Sequence, residues 1–172
     1  MNGIKTTYNL QKGVMTFYNR ELAVEYSRKW WNKRNPNFPD FQNDCTNFIS
    51  QCLLAGGIPM RHSSNVSEGW WYNHSTKRWS LSWSVSHSLR LYLINKKLAT
   101  PVSDVSHLKI GDLIFYDFQG DGRIDHCTIV NSTGFFGVTV NAHTSDSYNR
   151  NYLYTDSTAY TENMRYHFLT IH

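Results

Sequence analysis

DCTNFISQCLLAGG, residues 44–57, opens on a residue type that caps helices and closes on glycines that stop them. Cys45, Phe48, Ile49 and Cys52 recur at i, i+3, i+4 and i+7, so the segment predicts a helix with one inward face. Cys45 stands in the first turn of that helix. A helix start carries unpaired backbone N–H groups and the positive end of the helix dipole, both of which favour negative charge. A thiol there is inclined towards thiolate, and the same N–H groups can receive an oxyanion. The position therefore fits a nucleophile, whereas Cys52, two turns further in, fits packing.

Working outward, Asn19 is placed to cap a helix over about Arg20–Asn32, in which Ala23, Tyr26, Ser27 and Trp30 share a face. Pro36 and Pro39 mark a loop before Asp44. Downstream lie a Trp-rich loop, GWWYNHSTKRWSLSW, and a predicted helix over roughly Val85–Asn95. The second half reads as strands over Asp112–Phe118, Ile124–Asn131, Val138–His143 and Tyr166–Ile171, with STGFFG as a hairpin turn. Helices first and strands second predict an α+β domain, with N-terminal helices packed on an antiparallel β-sheet. Residues 1–172 are expected to form one domain, with a core at about 19–146 and a C-terminal extension to 172. The Tyr- and Asn-rich stretch from Ser145 to Asn163 gives no pattern.

The chain has 172 residues, and six Trp, eleven Tyr and nine Phe supply ample bulk for a core. A charged fraction of 17% sets it apart from disordered and coiled-coil chains. No apolar run approaches the roughly 20 residues of a membrane span. MNGIKTTYNLQKGVMTF lacks the apolar stretch of a signal peptide, so the expectation is a chain that stays inside the cell or a domain excised from a secreted or cell-wall protein. The net charge of +4 is scattered, and its densest cluster, Arg28, Lys29, Lys33 and Arg34, reads as a solvated helix face. No nucleic-acid partner is expected. Cys45, Cys52 and Cys127 form no CxxC, which argues against a disulfide framework or a four-Cys zinc site.

A cysteine nucleophile needs a base and a group to orient that base. Of eight His, His126 opens a strand after a Gly/Asp turn and His143 ends the next one. If the two strands pair, both rings project from one end of the sheet, and Asn141 points to the same side as His143. Two other readings compete, and the aromatic loop poses a separate question. The loop from Asp117 to Ile124 has acidic spacing like a calcium loop, but Thr128 stands where an EF-hand needs Glu, so a turn between strands is expected. Cys45, His126 and His143 could surround a zinc ion, although a helix-start thiol explains Cys45 without one. Trp70, Trp79 and Trp83 could wall a substrate cleft or simply fill the core.

DCTNFISQCLLAGG, the WWYN…SLSW loop, IGDLIFYDFQGDGRIDHCTIV and VNAHTSD, in that order, resemble the putative amidase domain family, which is similar to the NlpC-type and CHAP groups of papain-like cysteine peptidases. The resemblance covers about Asn19 to Asp146. It implies a papain-like fold, with Cys45 as nucleophile, His126 as general base and acid, and the orienting position on the VNAH strand, at His143 or else Asn141. A polar side chain just upstream of the cysteine would assist the oxyanion, which points to Gln42 or Asn43. The implied activity is hydrolysis of an amide bond without cofactor or metal, with a peptide or amide substrate and peptidoglycan as the class the relatives suggest. The rival function is a non-catalytic module that holds cell-wall glycan or peptide in an inherited cleft.

Overall fold

A computed structural model of the chain describes residues 17–172. Helix α1 spans Arg20–Trp30, and the Asn19 side chain accepts the Leu22 N–H at its start. Helix α2 spans Cys45–Ala55 and stops at Gly56, whose N–H donates to the Cys52 carbonyl. The inward stripe expected for α2 is in fact a whole circumference, since every residue from Cys45 to Leu53 is buried. Its polar side chains are partnered accordingly. Ser50 receives the Trp70 indole N–H and Asn47 that of Trp83, while Gln51 accepts from the Tyr26 hydroxyl.

The Trp-rich loop folds over α2 as a short ribbon, β1 (Tyr72–Asn73) with β2 (Arg78–Trp79), followed by helices α3 (Leu81–Ser84) and α4 (Ser86–Asn95). Trp70 and Trp83 are fully buried with ring centroids 5.3 Å apart, and half-buried Trp79 packs on Phe41. Of the three considered for a cleft wall, Trp70 and Trp83 are sealed in the core around α2, and Trp79 packs against it while partly exposed.

Six strands form one antiparallel sheet: β3 (Ala99–Val102), β4 (Leu113–Asp117), β5 (His126–Gly134), β6 (Gly137–Ala142), β7 (Ser147–Asn151) and β8 (Arg165–Ile171), in the order β3-β8-β4-β5-β6-β7. The fold is α+β, as expected. The segment beyond residue 146 is no extension, however. It supplies β7 and β8, and β8 lies inside the sheet between β3 and β4. Pro101 sits in edge strand β3, where a missing ladder donor costs little.

Side chains alternate across the sheet. Leu113, Phe115, Cys127, Ile129, Leu169 and Ile171 face the helices. Ile114, Tyr116, Val130 and Val140 face the other way, onto Tyr154 and Met164. The start of α2, the start of α4 and the start of β5 meet at one end of the sheet, and that convergence builds the site.

Candidate functional site

A cleft of about 630 Å³ opens there, lined by Asn43, Cys45, Thr46, Ser86, His126 and Thr144, among others. Its far wall is the loop from Phe118 to Asp125, the supposed calcium loop. The Asp117 carboxylate accepts the N–H groups of Gly120, Asp121 and Gly122, and Asp125 accepts that of Phe118. These acidic groups are consumed in shaping a turn. Gly120 has φ +71°, and a Cβ there would meet the Asn163 carbonyl, so the turn requires glycine.

Cys45 is the first residue of α2 and is 7% exposed. Two hydroxyls flank its sulfur: Ser86 Oγ at 3.6 Å and Thr46 Oγ1 at 3.7 Å, themselves 2.7 Å apart. Cys127 shares the same pair, with Sγ 3.5 Å from Ser86 Oγ and 3.8 Å from Thr46 Oγ1. Hydrogen bonding from Cys127 holds the Cys45 thiol well below its ordinary range, against burial, which pushes it up; the hydrogen bond and charge of His126 and the Ser86 hydroxyl lower it further. Burial drives the Cys52 and Cys127 thiols the other way, well above that range. Of three cysteines, the one on the cleft is the acidic one.

His126 is the first residue of β5, and its Nε2 lies 3.2 Å from the Tyr154 hydroxyl. Burial raises the Tyr154 pKa, so the phenol stays protonated. Its ring also stacks against the Arg150 guanidinium, 4.0 Å from the ring centroid.

Neither residue expected on the VNAH strand to orient His126 hydrogen-bonds to it. The ladder pairs Ile129 with Asn141, which puts Asn141 on the helix-facing side of the sheet, whereas His126, opposite Tyr116, lies on the other. Asn141 donates to Ser27 on α1 and accepts the Asn149 N–H, tying β6 to α1 and β7. His143, 2% exposed, has Nδ1 2.5 Å from the Asp44 carboxylate and Nε2 2.8 Å from the Trp30 carbonyl. It stacks on Phe48 with centroids 3.8 Å apart. Asp44 also takes Arg34, which forks onto Asp146. Both His143 nitrogens are therefore taken by groups other than His126, and among the described residues no cluster of His, Cys, Asp or Glu is arranged to hold a metal, the zinc reading considered for Cys45, His126 and His143 included. Of the upstream pair, exposed Asn43 lines the cleft, while exposed Gln42 does not.

Sequence reasoning missed four residues here. Tyr154 sits in the stretch without a pattern. Ser86 is hidden in an ordinary helix start. Cys127 reads only as a strand residue next to His126, with no role assigned. Thr144 follows His143 as a plain polar residue, yet its Oγ1 receives the backbone N–H groups of both Asp44 and Cys45. Only the SHS that opens α4, a helix-start Ser next to a His, offered any signal.

A second hollow of about 690 Å³, lined by Arg61, Glu68, Tyr92 and Lys96 among others, contains neither Cys45 nor His126. No helix among the described residues is long and apolar enough to cross a membrane.

Two Bacillus subtilis (strain 168) proteins are similar in sequence. Uncharacterized protein YhbB is 50% identical over 158 residues, covering 90% of this chain and 50% of the relative. Uncharacterized protein YjcM is 29% identical over 143 residues, covering 77% of this chain and 32% of the relative. The chain thus spans half the length of one curated relative and about a third of the other. No solved structure matches it. The profile of the family described as Putative amidase domain matches residues 17–169, nearly everything the structure describes, and the chain belongs to that family.

Proposed function

We propose that the chain is a cysteine-dependent amide hydrolase built on a papain-like arrangement of the NlpC and CHAP kind. Family membership supports action on an amide. The mechanism is supported above all by one observation: the only one of the three thiols held acidic opens on the same cleft as His126.

In this mechanism His126 holds the proton given up by the Cys45 thiol, and the pair rests as thiolate and imidazolium. Tyr154 engages Nε2, which leaves Nδ1 as the nitrogen for the sulfur. The Tyr154 oxygen accepts from Nε2–H and fixes the plane of the ring, the role expected of His143 or Asn141. The thiolate attacks the amide carbon, His126 protonates the leaving amine, and the same imidazole then draws a proton from the water that cleaves the thioester. Ser86 and Thr46 hydroxyls steady the sulfur between turnovers.

The substrate we favour is an amide within a bacterial cell-wall peptide. The test is incubation of purified sacculi with the wild-type chain and with Cys45→Ala, counting newly freed amino groups. Release by the wild type alone is expected. Equal release by both chains would contradict cysteine chemistry, and release by neither would exclude this substrate. The rival binding module loses support because Trp70 and Trp83, its natural platform, are sealed in the core.

A further inference from the structure

We propose that the Thr144 hydroxyl, rather than the Cys45 backbone N–H, donates the hydrogen bond to the substrate's carbonyl oxygen as that oxygen becomes an anion. This rests on the cysteine mechanism above and names the residue that stabilises its intermediate.

The N–H nearest the sulfur is not free. Thr144 Oγ1 accepts the Cys45 N–H at 3.1 Å and the Asp44 N–H at 3.0 Å. A hydroxyl oxygen has two lone pairs, so two N–H donors leave it only its proton to offer. Among the described residues that proton meets no acceptor, and Thr144 is exposed on the cleft beside Cys45, Asn43 and His126. Donation into the oxygen polarises the O–H and makes it a stronger donor. The hydroxyl thus carries the positive end of α2 one atom further, to where charge develops.

The backbone is held for this purpose. Thr144 has φ +80°, in the left-handed region that a β-branched residue avoids. The conformation is retained between buried His143 and the two N–H bonds, a form of strain that collects at functional sites.

The step balances as follows. A sulfur lone pair forms the C–S bond, and the C=O π pair moves onto oxygen, where Thr144 O–H meets it. The pair then returns to re-form C=O while the C–N bond breaks, and the departing nitrogen takes the proton that His126 received from the thiol.

Two probes separate the roles of Thr144 on the intact chain. Acylation by 4-nitrophenyl acetate passes through a tetrahedral oxyanion, whereas alkylation of Cys45 by iodoacetamide displaces iodide and forms none. Thr144→Val should slow acylation about 100-fold while alkylation stays within about threefold, as loss of an oxyanion donor requires. Thr144→Ser should keep most of the acylation rate and guards against misfolding of the valine variant. Unchanged or faster acylation in Thr144→Val would overturn the proposal, the latter marking the hydroxyl as a plug over the N–H. Equal slowing of both reactions would also overturn it, leaving Thr144 as a brace for the helix start. If Cys45→Ala releases nitrophenolate as fast as the wild type, the cysteine mechanism fails and this proposal falls with it.

Discussion

His126 and His143 occupy the same end of the same sheet, one opening β5 and the other following β6, yet they are built for opposite purposes. His143 is saturated. A carboxylate holds one nitrogen, a helix-terminal carbonyl the other, and Phe48 covers a face of the ring. His126 has one nitrogen on a tyrosine hydroxyl and a ring that lines the cleft. The lesson is that a histidine's nearness to a nucleophile matters less than which of its nitrogens remain uncommitted. His143 and Asp44 hold the start of α2; in the proposed mechanism His126 is the one left available for proton transfer.

The comparison breaks if the two histidines cannot be separated by substitution. His126→Ala should lower nitrophenyl acetate acylation on the order of 1000-fold, within the range of general acid–base catalysis, with little change in melting temperature. His143→Ala should do the reverse. Leaving Asp44 buried without that partner costs about 3 kcal/mol, a fall of roughly 6–12 °C in melting temperature. Calorimetry and acylation rates on the two variants check both halves.

Tyr154→Phe sharpens the comparison. It removes the hydroxyl on His126 Nε2 and should slow acylation about tenfold, the kinetic equivalent of one hydrogen bond of about 1.4 kcal/mol. Asn141→Ala, on the helix-facing side, should instead cost about 1–2 kcal/mol of stability and leave the pH dependence of Cys45 alkylation where it was. The smallest effect is expected upstream: Asn43→Ala, on the cleft, should slow acylation by about threefold, and Gln42→Ala not at all.

Much of the α+β fold, and the pair on which the proposed mechanism rests, was legible beforehand, and the physical reasons are particular. Helix α2 announces itself through Asp44, Gly56 and an apolar spacing that no strand could satisfy, so Cys45 is found without a structure. His126 follows from a Gly/Asp turn that must precede a strand. The group proposed to orient His126 was not legible because it depends on the face of the sheet. The β5–β6 register, shifted between Val130 and Ser132, sets that face, and nothing local in VNAH records it. Tyr154 was hidden for another reason. It lies in a polar connector after the edge strand SYNRN, whose composition suits an exposed sheet margin rather than a buried one. The Trp residues misled because an indole with its N–H on Ser50 or Asn47 looks the same in sequence as one awaiting a sugar.

The pH dependence follows from the acidity of Cys45. The folded chain holds this thiol below its ordinary range, so the thiolate contributes stability above that ordinary value, and the contribution disappears as pH falls through the lowered one. Reactivity should follow the same course, because only the thiolate attacks. The most direct test is the rate of iodoacetamide alkylation at each cysteine, resolved by mass spectrometry across pH, in the wild type and in His126→Ala. Cys45 should react far faster than Cys52 and Cys127 and stay reactive below the ordinary thiol range, with its profile moving upward in pH when His126 is removed. Three thiols alkylated at one rate, or a Cys45 profile indifferent to His126, would contradict the account.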